Sequence, residues 1–74
     1  MQQQQVYRHP GEGRFMSIET IKSIAKTARA SGLGHKVIGT TNVVQCIILT
    51  ANEGVEFDPS LETTLITFGF EKHE

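Results

Sequence analysis

The segment 43–51 (VVQCIILTA) constrains the fold of this 74-residue chain more than any other feature. It carries no charge and is rich in β-branched residues, a composition typical of a β-strand. Strand side chains alternate between two faces. Here one face holds Val43, Gln45, Ile47, Leu49 and Ala51, and the other holds Val44, Cys46, Ile48 and Thr50. Because both faces are largely apolar, both are expected to be buried.

One amphipathic helix is predicted over residues 17–31. Ser17 suits the N-cap, and apolar residues recur at helical spacing after it. Gly32 suits the left-handed position after the helix, with Leu33 folding back onto it. A single helix covers only one face of a sheet. The other face therefore meets either a closed barrel of the remaining strands or another subunit, and the small number of strands favours a subunit.

The remaining segments predict an α+β domain, with the helix packed on a small antiparallel sheet of about four strands. Residues 1–5 are interpreted as a disordered polar tail and 6–74 as a single domain. Residues 6–16 are either an N-terminal hairpin or a non-native extension, the second if translation starts at Met16. Residues 52–54 suit a hairpin loop, after which 55–57 return as a strand. Residues 59–62 form a turn, or at most one helical turn, before a final strand at 63–71.

The composition excludes several classes of protein. Cys46 is the sole cysteine, so no internal disulfide forms, and no cysteine and histidine share zinc-ligand spacing. The longest apolar run is four residues, far short of the roughly 20 that a membrane helix needs. No secretory signal, catalytic constellation or cofactor motif is evident. We therefore expect a cytoplasmic protein that is not an enzyme, has no metal or cofactor, and has no membrane partner.

The net charge of −1 conceals a strong asymmetry along the chain. Residues 1–36 hold six basic and two acidic groups, and residues 37–74 hold one basic and six acidic groups. Lys22, Lys26 and Arg29 form a basic stripe on the predicted helix. A partner- or phosphate-binding set is predicted from the stripe and neighbouring groups: Lys22, Lys26, Arg29, His35, Lys36 and Arg14.

Three functions fit these observations. The first is a protein-interaction module, inhibitor or regulator that acts as a homo-oligomer, a type that includes phage and prophage accessory proteins. Its oligomer interface is predicted at Val44, Gln45, Cys46 and Ile48. The second is a nucleic-acid-binding regulator using Lys22, Lys26, Arg29 and Lys36, which the net charge disfavours. The third is an oligomer that binds a small ligand between subunits through Gln45, His35 and Arg14.

Overall fold

The computed structural model describes residues 2–73 and has the α+β architecture that the sequence predicts. Two helices pack on one side of a single antiparallel sheet. In chain order the elements are β1 (Gln3–Arg8), β2 (Arg14–Phe15), α1 (Ile18–Ala30), β3 (Gly34–Thr40), β4 (Val43–Ala51), α2 (Pro59–Thr67) and β5 (Glu71–His73).

Helix α1 forms where predicted, and local interactions close both of its ends. The Ser17 hydroxyl accepts a hydrogen bond from the Thr20 backbone N–H at 3.2 Å. At the other end Gly32 adopts a φ of +77°, and the Leu33 N–H donates to the Ala28 carbonyl at 2.8 Å. This pairing satisfies carbonyls that the helix itself cannot, and it brings Leu33 into the core.

Helix α2 replaces most of the predicted final strand, so the prediction of a strand over 63–71 is wrong. The Asp58 carboxylate accepts hydrogen bonds from the Ser60 N–H and hydroxyl at 2.9 and 2.8 Å, and Pro59 begins the helix. Leu61 and Leu65, four residues apart, are both buried in the core. Burial of this pair outweighs the strand preference of the β-branched residues around it, and β5 is confined to Glu71–His73.

The N-terminal region also differs from the prediction. Strand β1 begins at Gln3, so the glutamine run is part of the sheet and not a disordered tail. Strands β1 and β2 do not pair as a hairpin; they lie end to end along the same side of β4. The peptide of His9 continues this line by donating to the Gln45 carbonyl at 2.9 Å. A chain that began at Met16 would lack β1, which joins β4 to β5.

The sheet follows the order β3-β4-β1-β5, with β2 extending the line of β1. Counting β1 and β2 as one interrupted strand, the chain has the β-α-β-β-α-β order of the ferredoxin-like arrangement. The predicted return strand at residues 55–57 is absent, since this stretch is irregular and carries the chain from β4 to α2. Antiparallel pairing places β4 at the centre, with neighbours on both edges.

A β-bulge in β4 changes which side chains enter the core. Ile38 pairs with Cys46, but the next residue, Gly39, pairs with Val44, so Gln45 is an extra residue in the strand. The bulge reverses the alternation, and Val44 joins Ile47 on the helix side of the sheet. A Cβ atom on Gly39 would collide with the Val43 carbonyl oxygen, so the bulge requires glycine at this position.

The core lies between the sheet and the two helices. Tyr7 is fully buried at its centre, and its hydroxyl donates to the Gln5 side chain at 2.6 Å. Burial and the nearby carboxylate of Glu62 raise the Tyr7 pKa to about 12. The buried apolar side chains of the core are Tyr7, Met16, Ile24, Ala28, Leu33, Val44, Ile47, Leu49, Ala51, Leu61, Leu65 and Phe70.

The close approach of the loop before β2 to β4 predicts that Gly13 is essential for stability. An added Cβ at Gly13 would lie 2.7 Å from the Val44 carbonyl oxygen, and φ there is +102°. Gly13→Ala is expected to lower the free energy of unfolding by about 2 kcal/mol or more. Gly11→Ala is the matched control, with positive φ but open space, and should cost about 1 kcal/mol. If urea titrations show that both variants lose the same free energy of unfolding, Gly13 does not lie close to the Val44 carbonyl oxygen.

Tyr7 predicts an alkaline transition that can be followed optically. The chain has one tyrosine and no tryptophan, so tyrosinate absorbance reports on Tyr7 alone. We expect a midpoint near 12 in the folded protein and near the ordinary 10 in urea. Because the folded pKa is raised, the stability contribution is complete below pH 10 and lost as the pH rises towards 12. A midpoint of 10 in the folded state would contradict the buried hydroxyl.

Candidate interaction surfaces

The side of the sheet opposite the helices is a surface that no described element covers; we call it the open face. Pleating and register place an apolar cluster on it: Val6, Phe15, Ile38, Val43, Cys46 and Ile48. Phe15 is 72% exposed and Ile38 is 39% exposed. Large exposed apolar side chains gathered on one surface are typical of an interaction site.

The predicted oligomer interface lies only partly on this face. Gln45, Cys46 and Ile48 point away from the helices; Gln45 is exposed and Ile48 half-buried, but Cys46 is only 6% exposed, so neighbouring side chains already cover most of it. Val44 does not, because the bulge turns it into the core, where it is 1% exposed. The side chains of β4 were expected to alternate strictly between the two faces. This expectation fails at the bulge, and it therefore assigned Val44 to the wrong face.

Sequence reasoning missed several residues of the open face, among them Val6 and Phe15. Both come from the segment interpreted as a hairpin or extension, and their position follows from pairing with Ile48 and Val43. Alternation within QQVYRH marks Val6 and Tyr7 as facing opposite sides. It does not reveal that they stand beside β4, more than 35 residues away in the chain.

Charged groups of opposite sign flank the open face. Lys36 lies on its β3 side, in register with Ile48. Glu71 lies on its β5 side, in register with Arg8, and His73 is beside Val6. All four charged or titratable groups are solvent-exposed. The face therefore has a largely apolar centre that also carries Arg8, with Lys36 on one flank and Glu71, beside Arg8, on the other.

The predicted partner- or phosphate-binding set does not converge on one site. The basic stripe (Lys22, Lys26 and Arg29) is exposed on α1. His35 lies on the helix side of β3 and Lys36 on the open face. The Arg14 guanidinium stacks over the Phe68 ring at 5.2 Å, at the end of α2.

The ligand set of the third hypothesis is also divided. Gln45 lies on the open face, whereas His35 and Arg14 are in register with the core residues Leu49 and Val44 on the other side. Gln45 instead borders a shallow depression of about 320 Å³ on the open face. Its lining consists of Arg8, His9, Gly11, Ile38, Gln45, Cys46 and Ile48.

Strand β3 provides a second candidate surface. Within residues 2–73 it pairs only with β4, so one edge of its backbone is unpaired. A narrow apolar crevice between β3 and α1 is closely packed and has no room for a further side chain; it is lined by Met16, Ile21, Ile24, Val37, Val44 and Ile47. Val37 is 37% exposed at its mouth. The edge and the crevice together form a groove, which we call the β3 groove.

Among residues 2–73, no three His, Cys, Asp or Glu side chains are grouped so as to hold a metal ion. His9 packs edge-on against Phe70 with ring centroids 5.3 Å apart, and its Nδ1 lies 3.0 Å from the Pro10 carbonyl oxygen. Over the same residues, neither helix has the length and apolar character needed to cross a membrane.

Comparisons of this chain with protein-family models, with curated proteins and with solved structures find no match. The open face and the β3 groove are the two surfaces of this chain whose chemistry indicates a function.

Proposed function

We propose that this protein is a small non-catalytic interaction module of the cytoplasm that self-associates as a homodimer through its open face. The observation that carries the proposal is the apolar cluster on that face, above all the exposed Phe15 and Ile38. A dimer that packs the two sheets face to face would cover this cluster without disturbing the helix layer. It would also supply the burial that a domain of this size lacks, because one small core stabilises a fold by only about 3–5 kcal/mol.

The dimensions of the sheet suit such a dimer. Four strands spaced about 4.8 Å apart, with about 3.3 Å per residue along the nine residues of β4, give a face of roughly 500 Å². Two such faces remove about 1,000 Å² from solvent, which is the lower limit for a specific interface. We therefore expect a dimer of modest affinity.

The charges at the flanks favour a particular symmetry. A two-fold axis parallel to the strands brings the β3 side of one copy over the β5 side of the other. Lys36 of each copy then faces the row of its partner's His73, with its partner's Glu71 two residues farther along β5, while Ile48 and Val6 meet at the centre. Such an isologous contact repeats each favourable pair twice. The pairs contribute little energy and instead select the orientation.

A charge placed in the apolar cluster is expected to dissociate the dimer. Phe15→Glu should change the mass measured by light scattering from twice 8.2 kDa to 8.2 kDa at micromolar concentration. Ile66→Glu is the matched control, because Ile66 is 53% exposed on α2, away from the open face. The control should remain dimeric. A wild-type protein that is monomeric at these concentrations would overturn the proposal.

Charge exchange tests the symmetry independently. Lys36→Glu alone and Glu71→Lys alone each place like charges together, so each should raise the dimer Kd about three- to tenfold. The double variant restores opposite charges and should return the Kd to near the wild-type value. Sedimentation measures the dimer Kd of the wild type, the two single variants and the double variant. The buffer contains 50 mM salt, because charges are only weakly screened at this concentration. If the double variant loses as much dimer affinity as the two single variants together, the two-fold axis has another direction.

A further inference from the structure

The open edge of β3 is the second surface whose chemistry indicates a partner. Strand β3, Gly34–Thr40, is about 24 Å long, and its alternate residues direct unpaired backbone groups to this edge; six of the seven residues are exposed. An edge of this kind is a template for another strand. Natural proteins protect such edges or use them to bind extended peptides.

The surroundings of this edge are basic. Ile21 lines the crevice beside Val37. Each residue of a helix is rotated by 100° from the one before it, so Arg29 lies about 80° and Lys22 about 100° around the axis of α1 from Ile21. Buried Ile24 and Ala28 lie on the other side of Ile21, so the two cations stand on the solvent side of the crevice. His35 and Lys36 belong to β3 itself. The strand carries no acidic residue.

We propose that the β3 groove binds an extended acidic segment of another protein, which adds to the sheet as a strand beside β3. Backbone hydrogen bonds to β3 provide the affinity. Side chains of the segment that face the helix layer meet Lys22 and Arg29 of α1, and the alternate side chains point to the opposite side of the sheet, where Lys36 lies. The inference rests on the proposed function, an interaction module, but it uses a surface separate from the open face.

A second copy of this chain is a poor occupant of the groove. Pairing β3 with β3 across a two-fold axis would bring the basic stripes and both Lys36 side chains of the two molecules to the same seam, where like charges repel. The opposite edge of the sheet, β5, is only three residues long. Charge therefore assigns the open face to self-association and the β3 groove to an acidic partner.

The test uses the full-length protein and a fluorescein-labelled probe of seven residues that alternates glutamate and valine. We expect a saturable rise in anisotropy below about 1 mM probe in 50 mM salt. Affinity should fall as salt rises, and a matched probe that alternates lysine and valine should not bind. Hydrogen exchange should slow at the amides of β3.

Two N-methylated probes test strand addition itself. In an extended peptide, alternate residues direct their N–H groups to opposite edges. One probe is methylated on the valine nitrogens and the other on the glutamate nitrogens. Because β3 pairs with one edge only, one probe should lose at least tenfold in affinity and the other should retain it. If both keep full affinity, only side chains bind and the proposal is overturned.

Variants of the protein locate the charge contribution. Lys22→Glu and Arg29→Glu should each weaken probe binding about three- to tenfold. Lys72→Glu is the matched control at the opposite edge of the sheet, where Lys72 pairs with Glu62 at 3.0 Å, and it should leave binding unchanged. None of these residues lies on the open face, so light scattering of the same variants should still show the dimer. A monomer that binds the probe contradicts the proposed function alone; a dimer that does not bind it contradicts this inference alone.

Nucleic acid is the competing occupant of the basic stripe. A 20-nucleotide duplex DNA and a single strand of the same length are titrated in the same buffer. Binding that falls steeply with salt and is lost in Lys22→Glu, together with no binding of the glutamate probe, would overturn the proposal in favour of phosphate recognition. Absence of nucleic-acid binding beside saturable probe binding supports it.

Discussion

The rest of the structure depends on the pairing of β4 along both of its edges. Strands β3 on one side and β1 and β2 on the other hydrogen-bond to it over its full length. This places the uncharged segment at the centre of the sheet, where its edges are unavailable for aggregation. The helix side of β4 supplies Val44, Ile47, Leu49 and Ala51 to the core, and its other side forms the floor of the open face.

Both helices lie on one side, and this arrangement makes the molecule two-sided. The helix side is closed by α1 and α2, which are tied together where the Ser31 hydroxyl donates to the Asp58 carboxylate at 3.0 Å. The other side holds Phe15, Ile38 and Ile48 without cover. No element among the described residues 2–73 forms a further layer on this side.

The charge asymmetry along the chain becomes an asymmetry across the molecule. The cations of α1 and β3 lie towards one edge of the sheet, and the carboxylates of α2 and β5 lie towards the other. Lys72 is the exception on the acidic side, where it pairs with Glu62. The net charge of −1 therefore conceals two regions of opposite sign, which the net charge alone does not describe.

The amino-acid sequence by itself determined α1, with its Ser17 cap and Gly32 terminus, and β4, with apolar residues on both faces, because these features depend on local geometry and periodicity. Tertiary structure decided the rest. Asp58 and Pro59 mark the start of α2 locally, but the β-branched residues that follow prefer strands, and burial of Leu61 and Leu65 under the sheet keeps them helical. The bulge at Gln45 and the placement of β1 beside β4 depend on contacts between distant segments. Those contacts assigned Val44 to the core and brought Val6 and Phe15 to the open face, since cross-strand register is set by packing and not by local preference.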